Sequence, residues 1–159
     1  MAAEASAENF RLIAASLGLE QSRGPVFAVR AAAHRGEGLG RVAAGAKADS
    51  RALLNYSAVT AQFQNDFYVE HGDVQVTTVD TVFDHAWEWL GARPGEQELC
   101  LLKIDTEGSD LAVLEGAGGV LETFPLVDIM FEVDPRSMEL NGYDVRGALR
   151  FLPARGWTL

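Results

Sequence analysis

The feature that most constrains this chain is the run Leu99-Cys100-Leu101-Leu102-Lys103-Ile104-Asp105, an almost unbroken apolar segment that closes on a carboxylate. Continuous rather than alternating apolarity predicts a strand buried on both faces, as in a parallel sheet between helices. A second run of this kind, Leu126-Val127-Asp128-Ile129-Met130-Phe131-Glu132-Val133, follows Pro125. A shorter one, Val26-Phe27-Ala28-Val29, follows a Gly24-Pro25 break. The lone cysteine, Cys100, lies inside the first run and is read as a buried packing residue. A single cysteine excludes an internal disulfide and a cysteine-based zinc cage.

Between these runs the apolar period lengthens to that of a helix. Phe10, Ile13 and Leu17 recur at three- and four-residue spacing, with Ser6 placed to cap the start and Gly18 to end it. A second helix, capped by Thr78 or Asp80, carries Val82, Phe83, Ala86, Trp87 and Leu90 on one stripe. Trp89 cannot share that face and is assigned to an edge or interface. Arg93-Pro94-Gly95 reads as a turn. Ser109 or Asp110 caps a third helix with Leu111, Val113 and Leu114, continued past Gly118-Gly119 by Val120 and Leu121. Asp144 caps a last one, with Val145, Leu149 and Leu152 inward and Gly156 at its end. Trp157-Thr158-Leu159 reads as the start of a further strand. The stretch from His34 to Asp73 shows no clear period; it is read as a substrate-facing loop or a surface insertion. Val74-Gln75-Val76 then alternates as a short strand. This order of elements predicts one α/β domain over residues 1–159, with a mainly parallel sheet and flanking helices.

The formal charge is −10, from 13 basic and 23 acidic residues, which disfavours a phosphate-backbone partner. No apolar run is long enough to cross a bilayer. The acidic start (Glu4, Glu8) lacks the apolar core of a secretory signal, so the expectation is a cytoplasmic protein with no nucleic-acid or membrane partner. His34, His71 and His85 show no metal-ligand spacing. They are read as surface or loop residues, and no metal site is expected.

Ligands of open parallel sheets bind beyond the carboxyl ends of the strands. Two acidic groups fall at such ends: Lys103-Ile104-Asp105-Thr106-Glu107-Gly108-Ser109-Asp110 and Phe131-Glu132-Val133-Asp134. Asp105 closes its strand, Gly108 permits a tight turn, and Ser109 opens the next helix. A carboxylate so placed can accept a proton, orient a hydroxyl or bind a metal. Equally, Asp105 and Glu107 can do no more than satisfy the amides of the following helix. Asp134-Pro135 is read as a simple turn.

The first block, with Leu114-Glu115-Gly116-Ala117 after it, resembles the "K-I-D-x-E-G-x-E … L-x-G-A" signature of FkbM-type methyltransferases, Asp110 standing where the pattern usually has glutamate. Val76-Thr77-Thr78-Val79-Asp80, Ile129-Met130-Phe131-Glu132, Ala31-Ala32-Ala33 with Gly36, and Glu4 with Glu8-Asn9-Phe10 resemble further blocks of the family in the same order. The resemblance implies a Rossmann-like class I fold and methyl transfer from S-adenosylmethionine, commonly to a hydroxyl of a small molecule or glycan. By the same resemblance, Glu4 would hold the cofactor ribose and Ala33 would lie near the adenine. Asp105 would sit beside the methyl group and the acceptor, supported by Glu107, and Glu132 would line the acceptor side.

The family's glycine-rich cofactor loop has no counterpart before Glu4, and its first and last strands are absent. The chain is therefore expected to be a partial methyltransferase domain. A gap of about three strand spacings, on the order of 14 Å, would separate the remaining sheet edges. Such edges would collapse together or pair with another copy of the chain. Two other readings compete: a non-catalytic fragment or binding module that has lost cofactor binding, and a metal-dependent hydrolase built on Asp105, Glu107 and Glu132.

Overall fold

The computed structural model of the chain describes residues 1–19, 26–45, 52–55, 68–92 and 98–158. The Gly24-Pro25 break, the Arg93-Pro94-Gly95 turn, the passage over 56–67, the side chain of His71 and Leu159 lie outside the described residues. In chain order the elements are β1 (Ala2–Ala3), α1 (Ala7–Leu19), β2 (Ala28–Val29), β3 (Ala32–Ala33), β4 (Gly38–Gly45), β5 (Ala52–Asn55) and β6 (Tyr68–Thr77). There follow α2 (Val79–Leu90), β7 (Leu101–Lys103), α3 (Asp110–Glu115), α4 (Gly118–Thr123), β8 (Asp128–Met130), α5 (Pro135–Leu140) and α6 (Val145–Phe151).

The α/β class holds, but the strands do not form one mainly parallel sheet. Among the described residues they form three: β1-β2, β3-β6-β4-β5, and β7-β8. The pairs β1/β2, β3/β6 and β7/β8 are parallel, whereas β4/β5 and β4/β6 are antiparallel. The antiparallel part corrects the reading of His34–Asp73 as irregular. Glycines at Gly38, Gly40 and Gly45 remove the side chains whose alternation would have marked β4, and the register of β4 against β6 shifts between Val42 and Ala43. The alternation that was legible, Val74-Gln75-Val76, is the end of the ten-residue β6, with Val74 and Val76 buried and Gln75 exposed.

The main core lies between β7-β8 and the helices α2, α3 and α4. It joins Phe83, Leu102, Ile104, Leu114, Val120, Leu121 and Val127, with Trp87 and Phe124 packed against it. Each such side chain contributes about 1.5–3 kcal/mol by leaving water. In α2 the buried residues are Val79, Val82, Phe83 and Ala86; Leu90, expected inward, is exposed. Thr78 caps this helix, accepting from the Thr81 amide at 3.1 Å. Asp80 caps a different one: its carboxylate accepts from the Gly119 and Val120 amides of α4, both at 2.9 Å. Trp89 stands at an edge, its ring 5.8 Å from that of Phe27.

The expectation of burial on both faces of the Leu99–Asp105 run is overturned. In β7 only Leu102 points into the core, and Leu101 and Lys103 point to solvent. Met130 of β8 is exposed as well, and so is Cys100, which is not a packing residue. No described element covers this outer face. Asp134 does more than turn the chain: it caps α5, accepting from the Arg136 amide at 3.1 Å and the Ser137 hydroxyl at 2.5 Å. Asp144 caps α6 as expected, but the inward residues are Ala148 and Leu152, with Leu149 outside. Trp157 and Thr158 form no strand. No described helix is long and apolar enough to cross a membrane.

Candidate functional site

A cavity of about 300 Å³ opens beyond the carboxyl ends of β1, β3 and β7. Its lining comes from Ala3, Glu4, Ala5 and Asn9 on one side, Ala31, Ala32 and Ala33 on a second, and Asp105, Thr106, Glu107 and Ser109 on a third. Glu4, Ala33, Asp105 and Glu107, which lie as much as 103 positions apart (107 − 4), thus share one wall-to-wall space. Glu132 is not part of the lining. It lies past the end of β8, and its amide donates to Asp110 Oδ1 at 3.0 Å.

Each wall has a local cause. Glu4 immediately follows β1, and the Ser6 amide donates to its Oε1 at 2.7 Å, while Ser6 Oγ accepts from the Asn9 amide at 3.3 Å at the start of α1. The carboxylate is therefore anchored at a helix entrance. Ala32 and Ala33 are held by parallel pairing with Val76 and Thr77, and the run of three methyl side chains presents a shallow apolar surface. The third wall is a reversed turn: Glu107 has φ +51° and Gly108 φ +94°. A left-handed glutamate costs about 1–2 kcal/mol. Gly108 could be nothing else, because a Cβ there would fall 2.4 Å from the Ser137 carbonyl carbon. Asn141 Nδ2 donates to the Glu107 carbonyl at 3.2 Å and steadies the turn.

The signature block also holds a residue that neither competing role of Asp105 anticipates. Asp110, expected only to cap a helix, is 1% exposed. Its carboxylate accepts from Thr106 Oγ1 at 2.9 Å, the Thr106 amide at 3.3 Å and the Glu132 amide at 3.0 Å. It bolts the turn after β7 to the end of β8, and the acidic character of this position in the motif was the available signal. The second half of the motif is equally mechanical. Leu114 and Ala117 are fully buried, and a Cβ on Gly116 would lie 2.2 Å from the His34 carbonyl oxygen.

His34, read as a surface or loop residue, lies in the loop after β3 but is not at the surface. It is 3% exposed, with Nε2 2.9 Å from the Tyr143 hydroxyl. Burial, then the neighbouring Arg35 guanidinium, push its pKa below the ordinary value, with Glu115 opposing. Burial likewise raises Tyr143. His85 is exposed as expected.

Three carboxylates, Glu4, Asp105 and Glu107, face or border the cavity, and no cation is among its described lining residues. Lys103 stands outside with its Nζ 2.7 Å from Asp105 Oδ2; that hydrogen bond, and the charge behind it, raise the lysine's pKa. No group of three His, Cys, Asp or Glu among the described residues is arranged to hold a metal ion. Asp105, Glu107 and Glu132 therefore do not form the metal centre that the hydrolase reading requires.

In an α/β fold, a cavity beyond the strand ends is where a ligand binds. The family model of the methyltransferase FkbM domain matches residues 2–157, nearly the whole chain, and the protein belongs to that family of methyltransferases. No curated protein and no solved structure matches the chain significantly.

Proposed function

We propose that the cavity binds S-adenosylmethionine and that the protein transfers its methyl group to a hydroxyl of a small molecule or glycan, on a Rossmann-like scaffold. The observation that carries this reading is the convergence of Glu4, Ala31–Ala33 and Asp105 on one space beyond parallel strand ends. The residues fit the group. The volume is at the lower end of small-molecule sites, about 300–1,000 Å³. An acidic lining without a cation favours a sulfonium over an anionic ligand. Glu4 Oε2, the oxygen not engaged with Ser6, is available for a ribose hydroxyl, and the alanine wall suits a flat aromatic base.

S-adenosylmethionine, when bound, supplies an electrophilic methyl on sulfur. The chain's own contribution is alignment, because in-line transfer depends on the approach angle of the acceptor oxygen. Asp105 is placed to orient that hydroxyl or to take its proton, while Glu107, in its left-handed turn, sets the direction in which Asp105 leaves the strand. Lys103 pairs with the Asp105 carboxylate on its solvent side. Glu132 is assigned to the outer acceptor region. The protein acts alone in this reading, or as a pair joined through its open strand edges, with no nucleic acid.

Isothermal titration of S-adenosylmethionine and S-adenosylhomocysteine tests it directly. Micromolar binding that falls at least tenfold in Glu4→Ala is expected, with Asp105→Asn retaining affinity. A folded wild-type chain that takes up neither ligand refutes it and leaves the binding-module reading in its place.

A further inference from the structure

Both rims of the cavity connect to one short stretch, α5 and the turn after it. On the β7 side, the Gly108 backbone lies against Ser137, so closely that no side chain would fit between them. Asn141 Nδ2 donates to the Glu107 carbonyl at 3.2 Å and to the Ser137 carbonyl at 2.9 Å. On the β3 side, the Tyr143 hydroxyl meets His34 Nε2 at 2.9 Å, and His34 directly follows the alanine wall. The His34 amide donates to the Thr77 carbonyl at 2.8 Å, so the ring and the strand end move as one. The stretch is itself anchored: Met138 is fully buried beside Leu111 and Ala148, and the Tyr143 amide donates to the Met138 carbonyl at 2.9 Å.

We propose that residues 137–143 form a brace that sets the width of the cavity. Asn141 and Tyr143 are its positioning residues: Asn141 acts through Glu107 on the turn that carries Asp105, and Tyr143 acts through His34 on Ala31–Ala33. The mechanical claim stands on the contacts alone; its consequence for affinity rests on the cavity being the S-adenosylmethionine site. Neither residue touches the ligand, so each alters binding only by letting one wall drift.

The test uses Tyr143→Phe, which removes one hydroxyl and keeps the ring, in the full chain. Loss of one hydrogen bond predicts about five- to tenfold faster amide exchange at residues 32–34, with α2 unchanged. The affinity for S-adenosylhomocysteine is expected to weaken about fivefold. His34→Gln, whose amide can still reach the tyrosine hydroxyl, is expected to stay within about twofold of wild type, and His34→Leu to weaken as Tyr143→Phe does. Unchanged exchange at 32–34, or an equal rise throughout the chain, overturns the brace. Local loosening with unaltered affinity in a protein that binds the ligand overturns the positioning role. If wild type binds no S-adenosylhomocysteine, the functional reading fails, and the exchange pattern alone decides the brace.

Discussion

Asp105 and Asp110 stand five positions apart in one motif, and the structure predicts opposite responses when each is replaced by alanine. Asp110 is 1% exposed and accepts three hydrogen bonds, from the Thr106 amide, the Thr106 hydroxyl and the Glu132 amide. Hydrogen bonds to a charged group contribute about 1.5–3 kcal/mol each. They are not additive here, since two of the three share one residue, and deleting the carboxylate also relieves its own burial. Losing the carboxylate leaves two backbone amides and a hydroxyl without their acceptor, and Asp110→Ala is expected to cost about 3 kcal/mol. For a chain of this length that is a fall in Tm on the order of 10 °C. The Asp105 side chain, by contrast, is 51% exposed and holds a single surface ion pair with Lys103. Such pairs contribute about 0–1 kcal/mol, so Asp105→Ala leaves stability almost unchanged. Urea unfolding of the two variants, followed by far-ultraviolet circular dichroism, gives both numbers in one experiment. Equal midpoints for Asp110→Ala and wild type, or a larger loss for Asp105→Ala than for Asp110→Ala, refute the division of the motif into a buried bolt and an exposed working group.

Two further outcomes follow from burial and capping. Because the folded state lowers the pKa of His34, the unfolded chain binds that proton first as the solution is acidified. The histidine's contribution to stability is therefore complete above its ordinary value of about 6.5 and declines as pH falls from there toward the lowered folded value. Replacing it with glutamine removes this part of the acid sensitivity, so lowering the pH from 7.5 to 5.5 reduces the urea midpoint of wild type more than that of His34→Gln; an equal fall in both would show that His34 is not the group responsible. Asp80→Ala leaves two α4 amides without their acceptor and is expected to cost about 1–2 kcal/mol, with the loss of exchange protection concentrated at Gly119 and Val120. Unaltered protection there would contradict the cross-helix cap.

Much of the helical content was legible because it depends on neighbours in sequence. The stripe of Val82, Phe83 and Ala86 and the Thr78 and Asp144 caps are set within a few residues of one another, whereas the single helix read over residues 111–121 is divided into α3 and α4. The acidic strand ends were legible for the same reason, and so was the parallel pairing of β7 with β8, since the helices between these strands form a crossover. Residue type and spacing also singled out Asp105 and Glu107, whereas Glu4 and Ala33 were marked only by the family resemblance.

Other properties depend on partners far away in the chain. Whether Leu101, Cys100 and Met130 are covered depends on which helices pack over the outer face of β7-β8, and no local pattern reports that. The antiparallel pairing of β4 with β6 joins Gly38 to Val76 through backbone hydrogen bonds that glycines leave without a side-chain signature. His34 and Tyr143, separated by 109 positions, become a buried pair only once β3 and the turn after α5 meet. Asp80 looked like the cap of its own helix and serves α4 instead, because a side-chain acceptor satisfies whichever unpaired amides folding brings within about 3 Å. Periodicity and caps are short-range and can be read along the chain, whereas burial, pairing and the meeting of Glu4 with Asp105 are products of chain closure and exist only in three dimensions.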